Sequence, residues 1–167
     1  WKGLDVLVEA ISIIKHQYNR DIKAVLIGAN DQTKQQYEDQ AKELGVFDNI
    51  EIVKRVEHKN IYNYIAQSTV GVLSNRYDAD GLLFTSPLKL YEYLGSGLKV
   101  VVSRLPSIES NINESLVYYA TPEKPESFAK EIIRALDDDD FDINKIKDFS
   151  KNYTWESRSK KFMEFIS

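Results

Sequence analysis

Apolar and polar residues alternate along the chain in blocks, and the period of the alternation switches repeatedly between helical and strand-like. In the segment Gly3–Tyr18 the apolar positions recur at the spacing of one helical face, which predicts an amphipathic helix. The stripe consists of Leu4, Leu7, Ile11 and Ile14, with Ala10 beside it. The next block, Ile22–Gly28, is a short β-branched run closed by glycine, and it predicts a buried strand.

The same alternation continues to the end of the sequence. Asp31 is a candidate N-cap for the next helix and Gly45 its stop signal. Helices are predicted at Asp31–Gly45, His58–Ser68, Ser86–Gly97, Pro106–Ile112, Pro125–Leu136, Asn144–Ser150 and Thr154–Ile166. Strands are predicted at Asn49–Arg55, Thr69–Ser74, Leu98–Arg104 and Ser115–Thr121.

Strands separated by helices of this length indicate βαβ units and a mostly parallel sheet. Right-handed crossovers place helices on both faces. The predicted fold class is therefore α/β, a Rossmann-like doubly wound parallel sheet with a C-terminal helical tail, in one domain over residues 1–167. A doubly wound unit normally opens with a strand that lies mid-sheet. Because this sequence opens on a helix, we expect a fragment whose first strand is absent.

The predicted fold also says where a ligand would bind. In parallel α/β sheets, ligands sit outside the carboxyl ends of the strands. The loops after Gly28, Arg55, Ser74 and Arg104 are therefore the candidate walls of a site.

Composition narrows the classes of function. With 43% hydrophobic and 29% charged residues, the chain is a globular protein. Its net charge of -4 disfavours a broad nucleic-acid surface, since such surfaces are basic. The absence of cysteine excludes disulfides, thiolate metal sites and cysteine nucleophiles, and the wide separation of His16 and His58 disfavours a histidine zinc site. No apolar run approaches the roughly 20 residues of a membrane span.

The first candidate site is the start of the helix predicted from SPLKLYEYLGSG. Ser86 suits the N-cap and Pro87 the first helical position. The backbone N–H groups of Leu88 and Lys89 have no partner within such a helix, and together with its dipole they form an anion site. The helix dipole disfavours the Lys89 cation in the first turn, and an anion bound at the helix N-terminus would remove this cost.

Glu92 lies one turn after Leu88 and on the same face, where its carboxylate could accept hydrogen bonds from a diol. A phosphate at the helix mouth and a ribose at Glu92 would together describe a nucleotide. Alternatively, this is a well-capped structural helix with Leu90 and Leu94 in the core and Glu92 in solvent.

The second candidate site is the pair Asp78 and Asp80, just upstream of this helix. Two carboxylates can coordinate Mg²⁺ or Mn²⁺ together with phosphate oxygens. An Asp-x-Asp pair is common by chance, however, and Gly81 after it suits a turn. A turn is the favoured interpretation, with a sugar contact at Asp80 as an alternative.

Two further polar residues follow predicted strands. His58 is interpreted as a polar residue in the first turn of its helix, with contact to a base or phosphate as the alternative. Glu109 follows the predicted strand Leu98–Arg104, where a contact with ligand is possible but no motif supports it.

The segment SPLKLYEYLGSGLKVVVSRLPSIES closely resembles the nucleotide-sugar segment of retaining GT-B glycosyltransferases of the glycosyl transferases group 1 (family 4 type). Those proteins carry a P-x-K-L-x-E-Y-x-x-x-G-x-x-V-V run. WKGLDVLVEA at the start of the sequence looks like their KG-x-D-x-L-(I/V)-x-A segment, and YTWESRSKKFMEFI falls in the family's order near the end. The resemblance covers nearly the whole chain.

The resemblance implies a role for each matching residue. Glu92 would accept hydrogen bonds from the ribose hydroxyls, and Arg55 and Val56 would flank the base. The donor phosphates would be held by Lys2, Ser86, Pro87, Leu88 and Lys89. The last helix, Thr154–Ile166, would reach back towards an absent N-terminal acceptor domain.

The sequence departs from the family pattern at one position. Many members carry two glutamates eight residues apart, and counting back eight from Glu92 gives Phe84. The first glutamate usually meets the donor sugar, so its absence puts the identity of the sugar and catalytic competence in question. Asp80 is the candidate substitute.

The function implied by the resemblance is retaining, metal-independent transfer of a sugar from a nucleoside diphosphate donor, a UDP or GDP sugar, to an acceptor hydroxyl. No cofactor besides this donor is expected, and the isolated fragment would be inactive. The setting would be polysaccharide or glycoconjugate synthesis in the cytoplasm, including the inner face of the membrane. The alternatives are a non-catalytic nucleotide-binding or regulatory module and half of a GT-B-like epimerase.

Overall fold

The computed structural model describes residues 3–77 and 88–166. Helices and strands alternate along them, which confirms the predicted α/β class. The strands are β1 Ala24–Ala29, β2 Ile50–Lys54, β3 Val70–Leu73, β4 Lys99–Ser103 and β5 Tyr118–Ala120. The helices are α1 Leu4–His16, α2 Asp31–Glu43, α3 His58–Ala66, α4 Leu88–Gly95, α5 Pro106–Glu109, α6 Pro125–Asp137, α7 Ile143–Lys151 and α8 Trp155–Ile166, with a single 3₁₀ turn at Phe47–Asn49.

The predicted elements all occur, and the differences lie at their ends. Asn30, not Asp31, is the N-cap of α2, because its side chain accepts a hydrogen bond from the Thr33 backbone N–H while Thr33 Oγ1 accepts one from the Asn30 backbone N–H. The fifth strand is shorter than predicted, since only Tyr118–Ala120 pair with β4. Gly97 adopts a φ of 83°, as its predicted place after a helix requires.

In the described parts of the chain all pairings between strands are parallel, and the strands form two groups. β1 pairs with β2, with Leu26 opposite Ile52. β3, β4 and β5 form the second group, with Val72 opposite Val101. No pairing joins β1 to β3 within the described residues. The strand that the sequence analysis expects in mid-sheet stays a prediction.

Helices cover both faces of the second strand group, as a doubly wound fold requires. On one face Val101 belongs to a hydrophobic cluster with α1 and α6, and this cluster extends to β1 and β2. On the other face Val100 and Val102 join a cluster with α4 and α7. α1 packs on α6, and α6 packs on β4 and β5, so these two helices tie the strand groups together.

The start of α1 lies at the carboxyl end of β3. Gly3 has a φ of 58°, and a Cβ atom built on it would sit 2.1 Å from the Ser74 carbonyl oxygen. Only glycine fits this close approach without a shift of the backbone. The contact brings the beginning of the described chain to the end of the strands where ligands bind in such folds.

Candidate functional site

Several of the predicted site residues fall outside the described part of the chain. Lys2, Ser86 and Pro87 are among them, so their role in phosphate binding stays a prediction. The same holds for Asp78 and Asp80, and for Phe84 at the position of the missing glutamate.

Helix α4 presents its first turn to solvent. Leu88 is 49% exposed and Lys89 is exposed beside it. Leu90 and Leu94, in contrast, are buried in the cluster beneath the helix. The helix is therefore fixed by one face, while Leu88 and Lys89 of its first turn are exposed to solvent.

Glu92 is half-buried, and its carboxylate meets a side chain from another helix. Its Oε1 lies 3.3 Å from Nε2 of His58, the first residue of α3. The His58 ring in turn contacts the Tyr62 ring edge-on, with ring centroids 5.7 Å apart. The predicted position of His58 in a first turn is confirmed, and its bond to Glu92 is a contact that sequence reasoning missed.

Tyr93, the residue after Glu92, packs against β3. A Cβ atom on Gly71 of β3 would lie 2.4 Å from the Tyr93 ring, so the ring packs directly on the strand backbone. Burial raises the pKa of Tyr93, and the neighbouring charge of Glu92 raises it further. Tyr93 thus anchors α4 against β3, while the adjacent Glu92 contacts His58 of α3.

Arg55 and Val56 lie in the loop between β2 and α3. Arg55 is exposed and Val56 half-exposed, and within the described residues the Arg55 side chain has no hydrogen-bonding or ionic partner. Only Glu57 separates this pair from His58, and each residue spans at most about 3.8 Å. Through His58, the predicted base-flanking pair therefore lies near the predicted ribose ligand Glu92.

Arg76, in the loop after β3, joins three elements through contacts that no local sequence pattern predicts. Its guanidinium donates to the Asp5 carboxylate of α1 and, at 2.8 Å, to that of Glu123 in the loop before α6. The hydrogen bond to Asp5, and after it the bond to Glu123, raise the pKa of Arg76. With its charge matched by two acids, Arg76 ties α1 to the carboxyl end of the strands.

Two other polar groups belong to the fold. Glu109 accepts a hydrogen bond from Arg104 at 2.7 Å. A polar depression at the amino ends of β1 and β2 contains Lys15, which bonds Asn49, and Asn49 bonds Asp21 in turn. The depression therefore lies at the opposite end of the strands from the predicted donor site.

Within residues 3–77 and 88–166, no group of three or more histidines or acids is placed to hold a metal ion. Since Asp78 and Asp80 lie outside these ranges, the expectation of metal independence stays a prediction. None of the described helices is long and apolar enough to cross a membrane.

The parallel α/β fold is that of a GT-B glycosyltransferase domain. The model of the family described as glycosyl transferases group 1 matches residues 1–138, and the chain belongs to this family. The predicted family and fold are thus confirmed. No curated protein matches the chain.

Solved structures with a similar fold include three bacterial proteins. A glycosyltransferase from Rickettsia africae ESF-5 has 19% identity and a TM-score of 0.82, over 99% of this chain and 44% of that one. Sucrose-phosphate synthase from Thermosynechococcus elongatus has 19% identity and a TM-score of 0.82, and the match covers 99% of this chain and 41% of that one. Anabaena Alr3699/HepE in complex with UDP and glucose has 15% identity and a TM-score of 0.74, and the match covers 99% of this chain and 45% of that one. The chain therefore spans less than half the length of these three structures.

Proposed function

We propose that this chain is the donor-binding part of a retaining glycosyltransferase and binds the nucleoside diphosphate of a sugar donor at the opening between α3 and α4. The observation that carries the proposal is the half-buried Glu92 carboxylate, one turn into a helix whose first residues, Leu88 and Lys89, are exposed. The segment matched by the group 1 family model includes both this helix and the Arg55 loop. The structural neighbour Alr3699/HepE is in complex with UDP, which supports a nucleotide as the ligand.

Each part of the donor has a candidate partner in this arrangement. The backbone N–H groups at the start of α4, with Lys89, hold the diphosphate and stabilise the charge that develops on it as the sugar leaves. Glu92 accepts hydrogen bonds from the ribose hydroxyls, and Arg55 and Val56 flank the base. As a further part of the proposal, Lys2, Ser86 and Pro87 complete the phosphate site, and no metal or cofactor is needed.

The chemistry that follows is transfer to an acceptor hydroxyl with retention of configuration. In the proposed mechanism the leaving diphosphate helps to deprotonate the acceptor on the same face of the sugar. The acceptor would bind to a further, N-terminal domain, so the 167-residue chain alone is expected to show no transfer. Cytoplasmic synthesis of a polysaccharide or glycoconjugate is the proposed setting.

A non-catalytic nucleotide-binding module is the second candidate. The observation that favours it is Phe84, which stands where many group 1 enzymes carry the glutamate that meets the sugar. Such a module would bind the nucleotide with the same residues. It would give no transfer even when joined to its acceptor domain.

Calorimetric titration with UDP, GDP and ADP, in the presence of EDTA, tests the binding site. Glu92→Gln removes a charged acceptor and should weaken binding about 10- to 100-fold, since hydrogen bonds to charged groups contribute about 1.5–3 kcal/mol. Glu43→Gln, an exposed change at the far end of α2, is the control and should leave the affinity unchanged.

Asp80→Asn separates the two candidate sites. It should weaken binding less than Glu92→Gln does. Equal losses in the two variants, or binding that appears only with Mn²⁺, would move the site to the aspartates. Failure of all three nucleotides to bind at millimolar concentration would refute the donor-site proposal.

A further inference from the structure

The contact between His58 and Glu92 joins two helices that follow different strand groups. His58 opens α3, which comes after β2, and Glu92 is the fifth residue of α4, which comes after β3. The two residues are 34 positions apart in sequence, and their side chains meet at 3.3 Å. We propose that His58 is a positioning residue, which holds one oxygen of the Glu92 carboxylate so that the other oxygen faces the ribose diol. This inference rests on the proposed function, since it assigns a partner to the residue proposed to bind the ribose.

The chemistry of the pair fits this role. A carboxylate has two oxygens, and the contact with Nε2 occupies only Oε1. A neutral imidazole with its proton on Nε2 donates this bond, so positioning does not require a charged histidine. Among the described residues Oε2 has no hydrogen-bond donor, so it can accept from one or both hydroxyls of a ribose.

The surroundings of His58 leave it free for this role. Its neighbours Glu57 and Lys59 pair with each other at 2.7 Å, so Glu57 is engaged rather than accepting from His58, and Lys59 is engaged rather than donating to Glu92. The edge contact with Tyr62, one turn along α3, restricts the rotation of the imidazole ring. His58 itself is 69% exposed, which leaves the ring accessible beside a ligand in the opening.

Positioning should improve binding because a glutamate side chain has several rotatable bonds. Without a partner, the half-exposed Glu92 side chain would have to lose its rotamer freedom when the ribose binds. The bond to His58 fixes the carboxylate beforehand, and part of that loss is avoided.

A purely structural role is the competing explanation. Ile65 is the single buried residue of α3, so the His58–Glu92 bond could serve only to hold the helix against α4. In that case, loss of the bond would affect every ligand equally, including one without ribose hydroxyls. This difference makes the two roles separable by experiment.

The test compares UDP with 2′,3′-dideoxy-UDP, which lacks the diol, by calorimetric titration of the chain. His58→Ala should weaken UDP binding about three- to tenfold and leave dideoxy-UDP binding unchanged. His58→Gln, whose amide N–H can donate in place of Nε2–H, should retain the affinity for UDP within about twofold. In a Glu92→Gln background, His58→Ala should cause no further loss.

Two results would contradict the positioning role of His58 and leave the proposed function intact. One is an equal loss of UDP and dideoxy-UDP binding in His58→Ala, and the other is a full additional loss in the Glu92→Gln background. Unchanged UDP binding in Glu92→Gln would instead overturn the proposed function, and this inference with it. Circular dichroism of each variant checks that the chain remains folded.

Discussion

At the scale of single residues, Tyr119 shows how burial controls the chemistry of a side chain. It is 8% exposed and donates its hydroxyl to the Ile112 carbonyl at 2.8 Å. Burial, and after it the charge of Glu109, raises the pKa of Tyr119 to about 12, although Arg104 acts in the opposite direction. The folded chain therefore keeps this proton at a pH where the unfolded chain, with a tyrosine pKa of about 10, has released it.

We expect the free energy of unfolding to fall as pH rises from about 10 to about 12, because the folded state then binds more protons than the unfolded state. Burial also raises the pKa of Tyr118, which adds to the decline. Tyr119→Phe should lose stability at neutral pH, by about 1 kcal/mol for the hydrogen bond, and should show a shallower alkaline decline. Urea unfolding from neutral pH to about pH 12 measures the stability loss and the alkaline decline. An equally steep decline in Tyr119→Phe would show that Tyr119 is not a source of the pH dependence.

At the scale of elements, the packing of α4 on β3 sets the geometry of the candidate site. Gly71 leaves room for the Tyr93 ring, and Tyr93 is the neighbour of Glu92 in sequence. A side chain at position 71 must therefore displace the Tyr93 ring or push α4 outward. An outward shift of α4 would move Glu92 relative to His58.

Gly71→Ala should destabilise the chain by about 1–3 kcal/mol, the usual range for overpacking, and should also weaken UDP binding. Gly95→Ala is the matched control, because a Cβ there would have its nearest neighbour at 3.6 Å, an ordinary contact with Ser150. Urea unfolding of both variants measures the difference. Equal stability of the two would show that Tyr93 can move aside without cost.

The sequence predicts elements well where a local signal determines them. The apolar stripe of α1 and the glycine at position 97 each depend on neighbours within a few residues, and both predictions are confirmed. The predicted cap of α2 is wrong by one residue, because Asn30 and Asp31 are both good caps and only the bond to Thr33 decides between them.

The candidate site can be predicted only in part. The helix around Glu92 follows from a local motif, whereas the partner of Glu92 lies 34 residues away and depends on how α3 and α4 pack. The bonds of Arg76 to Asp5 and Glu123 are equally non-local. Neither helical periodicity nor capping carries information about such pairs.

At the scale of the whole molecule, two hydrophobic clusters lie on opposite faces of the second strand group. The cluster under α4 includes Ile146 of α7, which is fully buried. α7 packs on α4, so the C-terminal part of the chain supports the helix that carries Glu92.

Ile146→Ala should cost about 2–5 kcal/mol of stability, as for other fully buried isoleucines. Ile143→Ala, at a position 44% exposed on the same helix, should cost far less. Thermal unfolding gives the stability of each variant, and hydrogen exchange should show faster opening of the α4 amides in Ile146→Ala. Exchange confined to α7 would mean that α4 does not depend on this support.

The division of the strands into two groups has a thermodynamic consequence for the proposed ligand. The Arg55 loop continues from the first group, while α4 packs on β4 of the second. A nucleotide that contacts both would link two parts which α1 and α6 also hold together. Its binding would then stabilise the packing of the two groups against each other, and the folded chain should become harder to unfold as nucleotide is added.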